Sequence, residues 1–233
     1  MSRKERKGTQ TNPVSLITLV DPSSPVSEQY RTIRTNIQFA SSADRKLQTF
    51  VVTSSGPGEG KSTIAANMVV VFAKAGQRVL LIDADMRKPT VFKSFQLSND
   101  VGLSTVLSTG KSVLETVHRT DVDNLSILTS GPKPPNPSEL IGSLRMDQVI
   151  DEARHLYDIV IFDMPPVVAV TDAQIMASKV DGTLLVVREN VTKKEPVMKA
   201  KELLELVNAR VLGVVYNGTE KSKDSGYYYY YSN

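Results

Sequence analysis

Residues 55–62 read Ser-Gly-Pro-Gly-Glu-Gly-Lys-Ser, followed by Thr63. Glycines at this spacing let backbone N–H groups close around a polyphosphate, and a helix starting at the lysine adds a field that favours anions. Lys61 can reach β- and γ-phosphates, and the Ser62 hydroxyl can serve Mg²⁺. The first position is Ser55 where the usual pattern has glycine; the later glycines carry most of the close backbone approach. Two further runs end in carboxylate: Val79-Leu80-Leu81-Ile82 leads into Asp83-Ala84-Asp85-Met86-Arg87, and Ile159-Val160-Ile161-Phe162 into Asp163-Met164-Pro165-Pro166. A lone Asp after a strand is usually a cap or a turn. Three of them beside a phosphate loop point to a hard cation with oxygen ligands.

These residues need a scaffold that brings them to one edge. The apolar runs are long enough for buried parallel strands. Strands are expected near 49–53, 79–83, 125–129, 159–163, 183–187 and 211–216. Helices are expected near 61–75, 102–108, 138–154, 172–179 and 194–208, with Gly76 ending the first of them and Ser138 capping the third. A helix after Pro25 places Val26, Tyr30, Ile33 and Ile37 on its core face, with Glu28, Arg31 and Arg34 on another. This alternation predicts a three-layer α/β/α fold with a mostly parallel central sheet, of the P-loop NTPase type (deviant Walker class). In such sheets ligands bind outside the carboxyl ends of the strands, where the phosphate loop and the acidic residues would meet.

The chain has 233 residues, enough for one α/β domain with a sizeable core. Net charge is +3, too diffuse to argue for nucleic acid, although Arg3, Lys4, Arg6 and Lys7 crowd the N-terminus. No cysteine is present, which removes disulfide and thiolate chemistry. No apolar run approaches a membrane span and no signal-peptide pattern appears, so any membrane connection is expected through a partner. Three units are expected: a basic arm over 1–24, a phosphate-loop domain over 25–217 and a flexible tail over 218–233. The tail ends in Tyr227, Tyr228, Tyr229, Tyr230 and Tyr231, five of the eight tyrosines of the chain. Alone it reads as a low-complexity end; beside a nucleotide site it reads as a phosphate acceptor.

With these motifs and the Glu28–Arg34 helix, roughly residues 25–233 resemble the bacterial tyrosine kinases that control capsule and exopolysaccharide synthesis. The likeness is to the type found in Gram-positive bacteria, where the kinase is a separate soluble chain. The resemblance implies ATP and Mg²⁺ as cofactors. Gly56, Pro57, Gly58, Glu59, Gly60, Lys61, Ser62 and Thr63 would hold ATP, with Asn217 reading the adenine edge. Ser62, Asp83, Asp85 and Asp163 would serve the metal. Lys61, Asp83, Asp85 and Arg87 would carry the chemistry, with Asp83 accepting the tyrosine proton and Arg87 neutralising phosphates or ordering the acidic loop. Tyr227–Tyr231 would be the acceptors. Glu28, Arg31 and Arg34 would contact a neighbour in a homo-oligomeric ring, for which the family expectation is eight subunits. A transmembrane activator of the polysaccharide co-polymerase type would recruit the cytoplasmic chain to the inner face of the membrane, and a tyrosine phosphatase would reverse the reaction. The main rival is a partitioning or division-site ATPase working as a nucleotide-driven dimer. Those proteins carry a signature lysine where this chain has Gly56, and they lack a tyrosine run. A non-catalytic nucleotide-sensing scaffold is the second rival.

Overall fold

The computed structural model describes residues 14–40 and 47–219. Its strands are β1 (Thr49–Ser54), β2 (Val79–Asp83), β3 (His118–Arg119), β4 (Leu125–Leu128), β5 (Ile159–Asp163), β6 (Gly182–Arg188) and β7 (Val211–Asn217). They form one sheet in the order β3-β4-β2-β5-β1-β6-β7. Every pair is parallel except β3 with β4. β2, β5 and β1 are therefore consecutive neighbours, and their carboxyl ends deliver Asp83, Asp163 and the phosphate loop side by side.

Side chains alternate across the sheet with period two. Phe50, Val52, Leu81 and Ile161 face one layer; Val51, Leu80, Ile82 and Phe162 face the other. The first layer holds α1 (Ile17–Val20), α2 (Pro25–Ala40), α3 (Lys61–Lys74) and α4 (Val91–Ser94). The second holds α5 (Leu103–Thr109), α6 (Val113–Thr116), α7 (Pro137–Gly142), α8 (Leu144–Leu156), α9 (Asp172–Ala177) and α10 (Lys194–Leu206). α3 is buried continuously from Ile64 to Ala73. A helix apolar on nearly all sides belongs in an interior, and α3 lies between the sheet and the flanking α1 and α2. It ends at Gly76, whose φ of 85° suits glycine.

The expected alternation of strands and helices is present, with three corrections. The helix expected over 138–154 is two helices. Ser143 adopts an extended backbone between them, and its hydroxyl accepts the Met146 N–H as the N-cap of α8. Ser138 is not a cap: Asn136 holds that position and Pro137 opens the helix. Residues 14–24, assigned by sequence to a basic arm, pack on the domain instead. The side chain of Asn67, fully buried in α3, accepts from the Thr18 N–H (3.0 Å) and the Thr18 hydroxyl (2.9 Å) and donates to the Ser15 carbonyl (2.8 Å). Lys74 Nζ donates to the Thr18 carbonyl. These polar contacts supply no apolar pattern to read from the sequence. Arg3, Lys4, Arg6, Lys7 and Tyr227–Tyr231 lie outside the described residues.

Replacing Asn67 by Ala strands the buried Thr18 N–H and hydroxyl and frees the exposed Ser15 carbonyl. The expected loss is about 1–3 kcal/mol, measurable by urea unfolding. Faster hydrogen exchange at Thr18 should accompany it; unchanged exchange there would show that the N-terminal segment is held by something else.

Candidate functional site: a phosphate loop facing buried carboxylates

β1 runs into the loop at Ser55, and α3 begins at Lys61. Gly58 (φ 78°) and Gly60 (φ 97°) occupy left-handed backbone. At Gly60 a side chain is also blocked by space, since a Cβ there would stand 2.1 Å from Asn217 Nδ2. Glu59 curls back under the loop: its carboxylate accepts from the Ser55 hydroxyl (2.7 Å), the Gly56 N–H (2.9 Å) and the Ser55 N–H (3.2 Å). The ends of β6 and β7 grip the loop's outer carbonyls. Arg188 Nη1 donates to Gly58 O (3.0 Å) and Asn217 Nδ2 to Glu59 O (3.0 Å). Gly60, as N-cap, offers no side-chain acceptor. The first-turn N–H groups of α3 are thereby left for an anionic ligand.

Asp83 and Asp163 are register partners on β2 and β5, and both are fully buried. Lys61 Nζ lies 2.9 Å from Asp85 Oδ2, 3.4 Å from Asp163 Oδ1 and 3.3 Å from the Ser62 hydroxyl. Burial works to lower the Lys61 pKa, but the charges of Asp163 and Asp85 outweigh it and the ammonium is held more firmly protonated than usual. Burial, then the charge of Asp163, pushes the Asp83 carboxyl well above the carboxylate range, with Lys61 opposing. Asp163 is raised as well, by burial, against the pull of Lys61. Asp85 also accepts the Lys88 N–H (3.0 Å), and Asp83 Oδ2 accepts the N–H groups of Thr90 (3.2 Å) and Val91 (3.1 Å).

Two carboxylate oxygens, Asp83 Oδ1 and Asp163 Oδ2, are buried without a hydrogen-bond partner. Such oxygens are costly to leave unpaired, and they suit a cation with its bound water. Among the described residues no group of three or more His, Asp or Glu side chains is arranged to hold a metal by itself. Few protein ligands and several waters is the habit of Mg²⁺, so the donor set fits that ion.

The fold brings Gly56 to Thr63, Asn217, Asp83, Asp85 and Asp163 to one edge. Arg87 turns away from the loop: Nε and Nη2 make a fork with both oxygens of the buried Asp172 at 2.8 and 2.9 Å, and Nη2 also donates to the Ser138 hydroxyl. Glu28 pairs with Arg31 at 2.7 Å, and Arg31 also binds the Pro22 carbonyl. Arg34 donates to the Val71 carbonyl of α3, so it is partly committed to its own domain. Arg188 and Asp172 went unnoticed in the sequence, since neither belongs to a spaced motif, and Ser138 was read only as a helix cap.

A mostly parallel α/β/α sheet with a phosphate loop after β1 and buried carboxylates ending the next two strands on one side of it, β5 and β2, defines the P-loop NTPase fold class. The AAA domain family matches residues 48–197. Tyrosine-protein kinase YwqD of Bacillus subtilis is 49% identical over 230 residues, covering 99% of this chain and 96% of that protein. Tyrosine-protein kinase CpsD of Streptococcus agalactiae is 35% identical, with 84% of each chain covered. The crystal structure of the chimerical protein CapA2B2 superposes with a TM-score of 0.85 at 45% identity, covering 88% of this chain and 90% of that one. The chain belongs to the bacterial tyrosine-protein kinases of the capsule and exopolysaccharide type.

Asp83 is charged in the unfolded chain above about pH 4 but resists ionisation in the fold. The native state therefore binds more protons, and this group lowers stability as pH rises from about 4 through its raised folded pKa. Asp83→Asn should stabilise the ligand-free protein at pH 7 by about 1–2 kcal/mol and flatten that decline. Urea unfolding of both proteins from pH 4.5 to 7.5 checks this, and an equal slope in the two would refute it.

Proposed function

We propose that this kinase uses ATP and Mg²⁺ to phosphorylate the Tyr227–Tyr231 cluster of a neighbouring copy, and thereby regulates capsular or exopolysaccharide synthesis. The observation that carries the reading is the position of Lys61. Its ammonium bridges the phosphate loop and two carboxylates, so phosphate oxygens can replace carboxylate oxygens around the same charge. Gly56, Pro57, Gly58, Glu59, Gly60, Ser62 and Thr63 form the cradle, with the α3 N–H groups aimed at the phosphates. Asn217, anchored against that cradle, is the residue we assign to the adenine edge.

In the reaction the phenolic oxygen attacks the γ-phosphorus, the bond to the β–γ bridging oxygen breaks, and ADP leaves. A tyrosine hydroxyl has a pKa near ~10 and needs a proton acceptor at neutral pH. Asp83 is our choice, because it stands at the carboxyl end of β2 beside Asp163 and its Oδ1 has no competing donor; a bound cation would hold it in the ionised form that can take the proton. Asp85, released by Lys61, orients the acceptor. Ser62, Asp83, Asp85 and Asp163 are the residues that would hold Mg²⁺. When bound, the ion supplies charge neutralisation to the transferring group. The proposed organisation is a kinase unit followed by a tyrosine tail from residue 218, in a ring of subunits meeting through Glu28, Arg31 and Arg34. No helix among the described residues is long and apolar enough to cross a membrane. Recruitment to the inner face of the membrane is accordingly assigned to a transmembrane activator, and reversal to a tyrosine phosphatase.

The test is Mg²⁺-ATP labelling read by mass spectrometry at residues 227–231, at high protein concentration, with and without a candidate activator fragment. Lys61→Met alone should remain unlabelled. Mixed with an active chain truncated after Ser225, the Lys61→Met tail should become labelled, which establishes transfer between copies. ATP hydrolysis with no tyrosine labelling under any condition would favour the partitioning-type ATPase instead.

A further inference from the structure

The fork between Arg87 and Asp172 joins segments that the sheet leaves separate. Arg87 ends the acidic loop that follows β2 and carries Asp85. Asp172 opens α9, at the far end of the segment that follows β5 and starts at Asp163. Ser138, in the first turn of α7, completes the knot. Its hydroxyl accepts from Arg87 Nη2 (2.9 Å) and donates to Asp172 Oδ1 (2.6 Å). The Asp172 side chain is fully buried while that of Arg87 is about one-third exposed at 35%. Burial works to raise the Asp172 pKa, but the hydrogen bonds from Arg87 and Ser138 prevail and hold it below the ordinary carboxylate range. The pair is thus ionised on both sides at neutral pH. A planar guanidinium held on both carboxylate oxygens fixes distance and orientation together.

Asp85 depends on this clamp. The backbone bonds near it are Lys88 N–H to Asp85 O (3.2 Å) and Ala84 N–H to Asp163 O (3.0 Å). Asp85 is otherwise held by Lys61 on Oδ2 and by the Lys88 N–H on Oδ1, and a nucleotide's phosphates would compete for Lys61. With Lys61 so engaged, the Arg87–Asp172 fork would be the side-chain ion pair that still ties this loop to the segment after β5.

We propose that Asp172 is a positioning residue for phosphoryl transfer: acting through Arg87 and supported by Ser138, it holds the acidic loop in register with the phosphate loop once Lys61 has moved to the nucleotide. The inference rests on the kinase reading above. Asp172 touches neither the phosphate cradle nor the unpaired carboxylate oxygens, so nucleotide affinity should survive its loss while turnover falls.

The experiment uses the full chain with Mg²⁺-ATP. Tail phosphorylation is followed by steady-state rates, and binding of a fluorescent ATP analogue gives the affinity and the fraction of competent sites. For Asp172→Asn, kcat per competent site should fall on the order of 10- to 100-fold, the cost of a small misplacement of a reacting group. KM for ATP and analogue affinity should stay within about twofold, as expected when an interaction serves the transition state rather than binding. The double variant Arg87→Ala/Asp172→Asn should be no slower than Arg87→Ala, because the two act as one unit. Ser138→Ala, a milder cut in the same knot, should lower kcat in the same sense and serves if Asp172→Asn does not fold. An unchanged kcat, a loss confined to KM, a loss explained by fewer competent sites, or multiplied losses in the double variant would each overturn the proposal. A wild-type chain that binds the analogue but never labels tyrosine would overturn the kinase reading instead.

Discussion

Three buried carboxylates, two of them paired with one ammonium, set the terms for the rest of this molecule. Asp83, Asp85 and Asp163 stand at the ends of neighbouring strands or just beyond them, almost without solvent, and Lys61 is the cation paired with Asp85 and Asp163. Burying charge is expensive unless each group is paired and hydrogen-bonded. The arrangement is only partly satisfied, since one oxygen on each of Asp83 and Asp163 has no partner. That deficit is what supports the proposal that the site takes up another cation.

The scaffold's task is to hold this unfavourable cluster in place. A parallel sheet does so by putting β2, β5 and β1 next to one another, with apolar side chains packed on both faces. Around the edge, smaller devices fix the loops. Glu59 closes the phosphate loop from within, Asn217 and Arg188 hold it from outside, and the Asp172 fork restrains the acidic loop. None of these groups is free to wander, so the charges stay aimed at the same small volume. The N-terminal segment contributes further support by docking on Asn67 of the helix that begins with Lys61.

Much of this was legible in the residue order, and for identifiable reasons. Four-residue apolar runs ending in Asp are buried strands because nothing else satisfies so much apolar surface in so short a span. The phosphate loop declares itself through glycines whose positive φ no other residue tolerates well, as at Gly58 and Gly60. The one-turn helices α1, α4 and α6 and the two-residue β3 were missed, since elements that short have no period to detect. The break at Ser143 was missed because a serine inside a helical pattern is ambiguous until its hydroxyl is seen capping the Met146 N–H.

By itself the sequence determined the local chemistry: a glycine-rich loop of the phosphate-loop pattern, carboxylates at strand ends, a sheet with helices on both faces, and a tyrosine run at residues 227–231. These depend on neighbours in the chain and on composition, so they can be read in one dimension. Only the tertiary structure decided which charges meet. Lys61 rests on Asp85 and Asp163, 24 and 102 positions away; Arg87 turns from the phosphate loop to Asp172, 85 positions away; Asn217 lies on the loop 158 positions before it. Such pairings follow from strand order and loop path. No periodicity along the chain encodes them, because each is settled by where the whole sheet puts two distant backbones.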